Sequence, residues 1–481
     1  MKSCLIIPAW RPEDIFSSKT VESQINYWQP LGTLYVASAM EAAGHSVRFL
    51  NGAFMNHYEI IRQVSEEGCH FVGIYSTAFG WPRARKTAEA VRAVLPDAYI
   101  VAGGPYPVAV REESLSDCKA MDAVVTGEGE DTVVELMERL GKGRPLHDVE
   151  GLVFRGRDGR IVVNPPRPFI TDLDRVPIPA RHLLGEADRY VPPPGTYRRK
   201  PVAVMMTSRG CNRRCLYCFQ MDRSRNSGIR YRGLEKVMEE IELCLAQGYR
   251  EIKFIDDTLA ADYDRAMAFT EKIRNRKLRF SWFASACANQ VDETLLRAFR
   301  KAGCWAVLIG AESGVQKNLN TIRKGVTLQQ IERAVGAAKS AGLQVFTPFI
   351  IGLPGETWEN ALQTIEFACR LNPHFANFHA LTPFPGTELY DQAERYGTLS
   401  NDLNDYTYQG AAFTPYTLTR EQILELRQTA FRRFYSRPSF LLRRVAAIRT
   451  GRDLVTAWKG LKSLARLWGA AGSVRRSPST G

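Results

Sequence analysis

The sequence predicts an α/β chain with three parts: a doubly wound parallel sheet, a partial (βα)6 barrel, and a helical, basic C-terminal region over 396–481. Three observations carry this. Over residues 1–145 short apolar runs alternate with longer amphipathic stretches. The same rhythm restarts at Val202 and repeats six times. Beyond Gly397 it stops, and basic residues accumulate. Strands that alternate with helical stretches are the mark of parallel sheets covered by helices.

In the first part, strands are expected at Ser3–Ile7, Ser46–Leu50, Phe71–Ser76, Tyr99–Ala102 and Ala123–Thr126. Helices are expected at Leu34–Ala43, Tyr58–Glu67, Arg83–Leu95 and Asp131–Leu140. Such sheets bind ligands beyond the carboxyl ends of their strands. Those ends are rich in small and turn-forming residues: Tyr75-Ser76-Thr77, Gly103-Gly104-Pro105-Tyr106 and Gly127-Glu128-Gly129-Glu130. No G-x-G-x-x-G follows the first strand, which disfavours a nicotinamide or flavin dinucleotide.

Residues 146–200 read as a connector. Leu152–Phe154 and Ile161–Val163 flank a Gly156–Gly159 turn and suggest a hairpin, and eight prolines stiffen the rest of the segment. The barrel is expected over 201–395. Its strands are Val202–Met206, Glu251–Ile255, Phe280–Phe283, Ala306–Ile309, Gln344–Ile350 and Ala376–Ala380. Helices such as Leu234–Leu245, Asp264–Arg274, Glu293–Ala302, Leu328–Ala341 and Trp358–Leu371 fall between them. In barrels, chemistry sits where strands end and βα loops begin.

After the first of these strands comes Ser208-Arg209-Gly210-Cys211-Asn212-Arg213-Arg214-Cys215-Leu216-Tyr217-Cys218-Phe219, a C-x3-C-x2-C spacing. Three thiolates on one loop hold three corners of a 4Fe-4S cluster and leave the fourth iron open to bind and reduce something. A structural zinc usually wants four ligands; here the fourth would be distant, because no Cys or His follows until Cys244. Three inert buried thiols are the other alternative, an odd core pattern beside Arg and Gly.

The cysteine loop, the partial barrel and the preceding Rossmann-like unit together resemble the radical S-adenosylmethionine (radical SAM) superfamily in its cobalamin-binding class. Similar to that class are Phe254-Ile255-Asp256-Asp257-Thr258, Gly310-Ala311-Glu312-Ser313-Gly314, Ile351-Gly352-Leu353-Pro354-Gly355-Glu356-Thr357 and Thr382-Pro383-Phe384-Pro385-Gly386-Thr387. So are Trp28-Gln29-Pro30-Leu31-Gly32 and the two Gly-rich strand ends of the first part. The match covers about residues 1–395.

The resemblance implies three cofactors: a 4Fe-4S cluster, S-adenosyl-L-methionine and cobalamin. It assigns Cys211, Cys215 and Cys218 to the cluster and Tyr217 to the adenine. Asp256 and Asp257 fall where the family binds the methionyl amine, Glu312 where it binds ribose, and Gly352 to Glu356 where backbone meets nucleoside. The alternatives are a helix cap for the Asp pair, a buried ion pair for Glu312 and plain turns for the Pro-Gly loops. Ser285 and Asn289, at the end of the third barrel strand, are further polar candidates. Cobalamin would rest against Tyr75, Ser76, Thr77, Gly103, Gly104, Gly127 and Glu128. The D-x-H-x-x-G loop that supplies a histidine to cobalt is absent, and His45, His57 and His70 lack its context, so no protein ligand to cobalt is expected.

Net charge is +13, yet the first 430 residues carry 52 basic and 50 acidic groups. The last 51 carry twelve Lys/Arg against one acid, Asp453. There Arg452, Lys459, Lys462 and Arg466 fall on one helix face, opposite Leu454, Trp458, Leu461, Ala465 and Trp468; Phe440-Leu441-Leu442-Arg443-Arg444 repeats the mixture. A basic amphipathic helix with Trp on its apolar side suits an anionic membrane surface. The alternative is a helix docked on its own barrel. No nucleic-acid reader motif accompanies the charge, so no nucleic acid is expected. No apolar run reaches the roughly 20 residues that span a bilayer. The N-terminus reads as a strand instead of a signal peptide. The scattered cysteines do not form a secreted disulfide framework, and a cytoplasmic location fits better, peripheral to the inner face of the membrane if the tail binds lipid.

The expected activity is that of a radical SAM C-methyltransferase acting on an unactivated carbon by way of a 5′-deoxyadenosyl radical. The alternative is a sister chemistry without methyl transfer, oxidative cyclisation or rearrangement of a tetrapyrrole, lipid or secondary metabolite. Either implies a small-molecule or lipid substrate and an electron donor such as flavodoxin or ferredoxin.

Overall fold

A computed structural model describes residues 1–11, 27–193, 195–221, 228–407 and 410–446, with side chains up to 442. The first sheet has seven strands, β1 (Lys2–Ile7), β2 (Ser46–Asn51), β3 (Phe71–Tyr75), β4 (Tyr99–Gly103), β5 (Ala123–Val125), β6 (Leu152–Arg155) and β7 (Ile161–Val163), in spatial order 2-1-3-4-5-6-7. The first five are parallel, and the hairpin β6–β7 is added antiparallel on β5. The hairpin read as part of the connector therefore extends this sheet. Successive residues of a strand face opposite sides, and β1 shows the consequence. Cys4 and Ile6 join one apolar cluster with Trp81 and Ala88, and Leu5 joins another with Leu34 and Leu136. Helices His57–Glu67 and Trp81–Val94 cover the first face, and Leu31–Ala42 and Gly129–Gly141 the second.

Two short helices, Pro105–Val110 and Glu112–Asp117, were not legible, because segments of six residues carry too little periodicity. Cys4 and Cys69, read as scattered thiols, are joined as a disulfide; β1 pairs directly with β3, which brings the residue two before β3 beside Cys4. Among the described residues, no helix is long and apolar enough to cross a membrane.

The second sheet is six parallel strands, β8 (Val202–Met205), β11 (Glu251–Phe254), β12 (Ser281–Ala286), β13 (Cys304–Ile309), β14 (Gln344–Ile351) and β15 (Phe375–Ala380), paired in chain order. A two-stranded ribbon, β9 (Ser208–Arg209) with β10 (Arg230–Tyr231), flanks the cysteine loop. The strand β12 runs later than the apolar run predicted, since Ala284, Ser285 and Ala286 pair with β13; a paired neighbour overrides weak strand propensity. The barrel stays open. Trp305, Phe283, Phe346 and Phe375 fill its interior, with Phe346 and Phe375 stacked at 4.5 Å. Glu251 holds this plug from below by accepting from Trp305 Nε1 at 3.0 Å.

Beyond the barrel, a small hairpin, β16 (Gly397–Leu399) with β17 (Phe413–Pro415), leads into helix Arg420–Tyr435. Thr419 and Gln422 close a capping box on its first turn. This helix packs along β15, the open edge, and Tyr435 OH donates to Ala376 O at 2.7 Å. The basic amphipathic stretch from Arg452 to Trp468 lies outside the described residues.

Candidate active site

The carboxyl ends of the two sheets face one cavity of about 1670 Å³. Single small-molecule sites usually occupy about 300–1,000 Å³, so this space suits more than one ligand. From the first sheet come Tyr75, Ser76, Thr77, Gly103, Gly104, Gly127 and Glu128, every residue expected to rest against cobalamin. The strand order reverses between β1 and β3, where such sheets open a crevice. Gly104 has φ 98°, and a Cβ there would lie 2.6 Å from Ser76 O, so only glycine lets the ends of β3 and β4 close up.

Glu128 has a second task. Its carboxylate accepts from Arg209 at 2.9 Å and from Arg230 at 2.8 and 3.0 Å, while Arg209 also reaches Glu130 at 2.6 Å. Both arginines belong to the ribbon β9–β10. The cluster therefore ties the last Gly-rich loop of the first sheet to the base of the cysteine loop.

The cysteine loop is held at each end. Asp256, 3% exposed, accepts from Thr207 N at 3.0 Å, Thr207 Oγ1 at 2.8 Å and Ser208 Oγ at 2.6 Å. Leu216 N donates to Ile322 O at 3.0 Å. Gly210, at φ 98°, sits so close to the Gly228 carbonyl that any side chain would collide with it. Burial pushes the thiols of Cys211, Cys215 and Cys218 up, Cys218 to about 12; Cys215 and Cys218 are raised further by neighbouring thiols. Three neighbouring thiolates, of which Cys215 is buried, Cys211 half-buried and Cys218 exposed, thus repel one another unless a metal takes their charge, and metal binding is what keeps such thiols deprotonated. Among the described residues, no three His, Cys, Asp or Glu side chains converge as ligands of a single ion would. The donor set fits an iron–sulfur cluster, in which each thiolate has its own iron.

The remaining sequence candidates divide into cavity wall and support. Asp257 opens onto the cavity, and burial together with Asp256 pushes its carboxyl up. Asp256, turned the other way at the strand end, is spent on the Thr207–Ser208 turn. Tyr217 packs on the barrel core, and burial together with the nearby Glu312 carboxylate pushes its hydroxyl up. Glu312 sits at φ 64°, a costly conformation for a residue with a side chain. Backbone pairing across Pro348 and Ile350 and a 2.7 Å ion pair with Lys324 hold it there, which is the buried ion pair expected as the alternative to a ribose contact. Gly352 lies against Ile423, and its N–H donates to Glu356 at 2.6 Å. Burial pushes the Glu356 carboxyl up to about 7. Ser285 is an interior strand residue, and Asn289 accepts from Arg213 beside the loop. His45 meets the N-terminal amine, His57 begins a helix and His70 precedes β3; none of the three lines the cavity.

Sequence reasoning missed three basic groups in the wall, Lys253, His379 and Arg427. Lys253 sits on β11 with its ammonium 4.1 Å from the Phe283 ring centre and 4.6 Å from that of Trp28. Burial pulls its amine down to about 8. His379, on β15, is pushed down to about 4 by burial and Arg427. Arg427 comes from helix Arg420–Tyr435, whose Leu424, Gln428, Phe431 and Tyr435 also face the cavity. The signal for Lys253 was present: a lysine between Ile252 and Phe254, two core residues on the opposite face of a buried strand.

Residues 205–368 match the Radical SAM superfamily, and residues 20–137 match the B12 binding domain. The chain is 35% identical over 423 residues to an uncharacterized methyltransferase of Pyrococcus horikoshii, covering 86% of this chain and 89% of the relative. It is 28% identical to the anaerobic magnesium-protoporphyrin IX monomethyl ester cyclase of Rubrivivax gelatinosus, over 86% of this chain and 75% of that one. The fold is shared with the radical S-adenosylmethionine methyltransferase TsrM of Kitasatospora setae, at TM-score 0.65 and 20% identity, over 89% of this chain and 85% of that one. With a cysteine loop and a glycine-walled crevice opening on one cavity, the chain belongs to the cobalamin-binding radical SAM family and is a radical SAM enzyme that uses a 4Fe-4S cluster, S-adenosylmethionine and cobalamin.

Proposed function

We propose that the enzyme is a C-methyltransferase acting on an unactivated carbon of a small molecule or lipid. The carrying observation is the single cavity reached both by the cysteine loop and by the strand ends of the first sheet. When bound, the cluster and S-adenosylmethionine supply a hydrogen-abstracting radical, and cobalamin supplies the methyl group. In this reading Cys211, Cys215 and Cys218 hold the cluster, and Asp257 takes the methionyl amine. Asp256 acts one step back by fixing the Thr207–Ser208 turn. Tyr217 and the neighbouring Glu312 form the adenosyl side, and the Gly352 loop, braced by Glu356, supports it from below. Tyr75 to Thr77, Gly103, Gly104 and Gly127 give the corrin a flat wall, with Glu128 fixed by its arginines. Residues 1–163 form the cobalamin unit and 201–395 the barrel in this proposal, an electron donor of flavodoxin or ferredoxin type reduces the cluster, and the protein works in the cytoplasm.

The Rubrivivax relative favours a second reading, oxidative cyclisation without methyl transfer. Anaerobic reconstitution with cobalamin and methyl-labelled S-adenosylmethionine, against a lipid and metabolite extract, separates the two. The expected result is labelled product together with 5′-deoxyadenosine. Formation of 5′-deoxyadenosine with product but no label transfer overturns methyl transfer. Contact of residues 447–481 with an anionic membrane is a further part of the proposal; co-sedimentation with anionic vesicles, unchanged by deleting them, would remove it.

A further inference from the structure

The barrel side of the cavity has a chemistry that none of the three cofactors explains. Its walls are aromatic: Trp28, Phe283, Phe346, Phe375, Phe378 and Phe431. Its charge is positive. Among the cavity-lining acids, Glu128 and Glu130 are taken up by Arg209 and Arg230. The other lining charges are Lys253, Arg83, Arg427 and Asp257, and Arg83 and Arg427 have partners of their own. Arg83 and Arg427 each donate to a main-chain carbonyl, of Phe79 and Phe378 respectively.

Lys253 differs from them. Among the described residues its ammonium has no hydrogen-bond or ion-pair partner; two ring faces are what it meets. Glu251, on the same strand, is occupied with the amides of Arg198 and Arg199, the Ser281 hydroxyl and Trp305. Withdrawing a cation from water without a direct anionic contact is unfavourable, and ring faces and the more distant Glu251 offset only part of that cost. Such a group is stabilised by whatever anion enters the cavity. Thr347, whose buried hydroxyl also lacks a hydrogen-bond partner among the described residues, lines the same cavity.

We propose that Lys253 anchors the substrate through an anionic group, a carboxylate or phosphate, and that the body of the substrate is apolar or aromatic and lies against the Phe283–Phe346–Phe375 floor. This rests on the cavity being the reaction chamber. Two cofactors also carry anions, the methionyl carboxylate and the cobalamin phosphate, so the test is run with both cofactors bound.

The probes are 1-pyrenebutyrate and its neutral counterpart 1-pyrenebutanol, followed by fluorescence anisotropy with cluster-loaded protein, saturating cobalamin and S-adenosylmethionine. Wild type is expected to bind the carboxylate about tenfold or more tighter than the alcohol, the size of one charge-assisted hydrogen bond. Lys253→Met should bring the ratio close to one. Iron and cobalamin content report that the variant is intact; if Met loses either, Lys253→Gln takes its place. A wild-type ratio near one, or a ratio unchanged in the variant, overturns the proposal. A preference seen only without S-adenosylmethionine also overturns it, because the anion site would then belong to the methionyl carboxylate. Iron and cobalamin content that survive beside a ratio of one separate failure of this inference from failure of the cavity assignment.

Discussion

Replacing Cys211, Cys215 or Cys218 singly with Ala is expected to abolish S-adenosylmethionine cleavage and to remove the cluster's visible absorption. The three thiols sit on one loop, and each would hold its own iron, so no neighbour can substitute. Cys287 is near enough to push the Cys211 and Cys215 thiols up slightly, after burial. It comes from the segment after β12 and lies outside the C-x3-C-x2-C spacing, so it is not expected to compensate. The measurement is iron content and 5′-deoxyadenosine formation after anaerobic reconstitution. Cleavage at wild-type rate in any of the three variants removes the cluster assignment.

The second large effect is on stability. Glu240, on helix Leu234–Ala246, is fully buried and paired with Arg181 at 2.6 Å and with Arg232. The arginines also hold backbone oxygens on the way to the cysteine loop. Arg181 donates to Val204 O at 2.7 Å and Arg232 to Met206 O at 3.0 Å. Removing one partner of a buried pair leaves the opposite charge uncompensated, at a cost of about 3–5 kcal/mol. Here two cations would be stranded, so Glu240→Ala should lie at the upper end. Glu240→Gln, which keeps one acceptor, should cost less. Urea unfolding followed by intrinsic fluorescence reads this as a lowered midpoint, with a matching loss of cluster content. A midpoint equal to wild type would mean that the cluster of Arg181, Arg232 and Glu240 is not built as described.

Much of this site was legible because its signals are local. The cysteine spacing, the Gly-rich strand ends and the apolar runs of parallel strands each lie within a dozen residues. Whatever depends on distant partners was not. Glu128 reads as a cofactor contact, yet Arg209 and Arg230 lie about eighty and a hundred residues further on, and nothing near Glu128 announces them. Glu312 was open to two readings, and the Lys324 that pairs with it lies twelve residues later across a short helix, where nothing near Glu312 announces it. Asp256 and Asp257 follow the end of β11 in the loop, and only the distant Thr207–Ser208 turn separates their roles. The region beyond Gly397 read only as helical and basic; nothing in it marked helix Arg420–Tyr435 as the wall that closes the open barrel edge and brings Arg427 into the cavity.

The central claim is that cluster and cobalamin share one chamber. Electron paramagnetic resonance on anaerobically prepared protein holding both tests it most directly. With the cobalt in its paramagnetic divalent state, reducing the cluster should broaden and split the cobalt signal by dipolar coupling. The effect should vanish in Cys215→Ala, which retains the cobalamin crevice. A cobalt signal indifferent to cluster reduction would place the two cofactors apart and contradict the account.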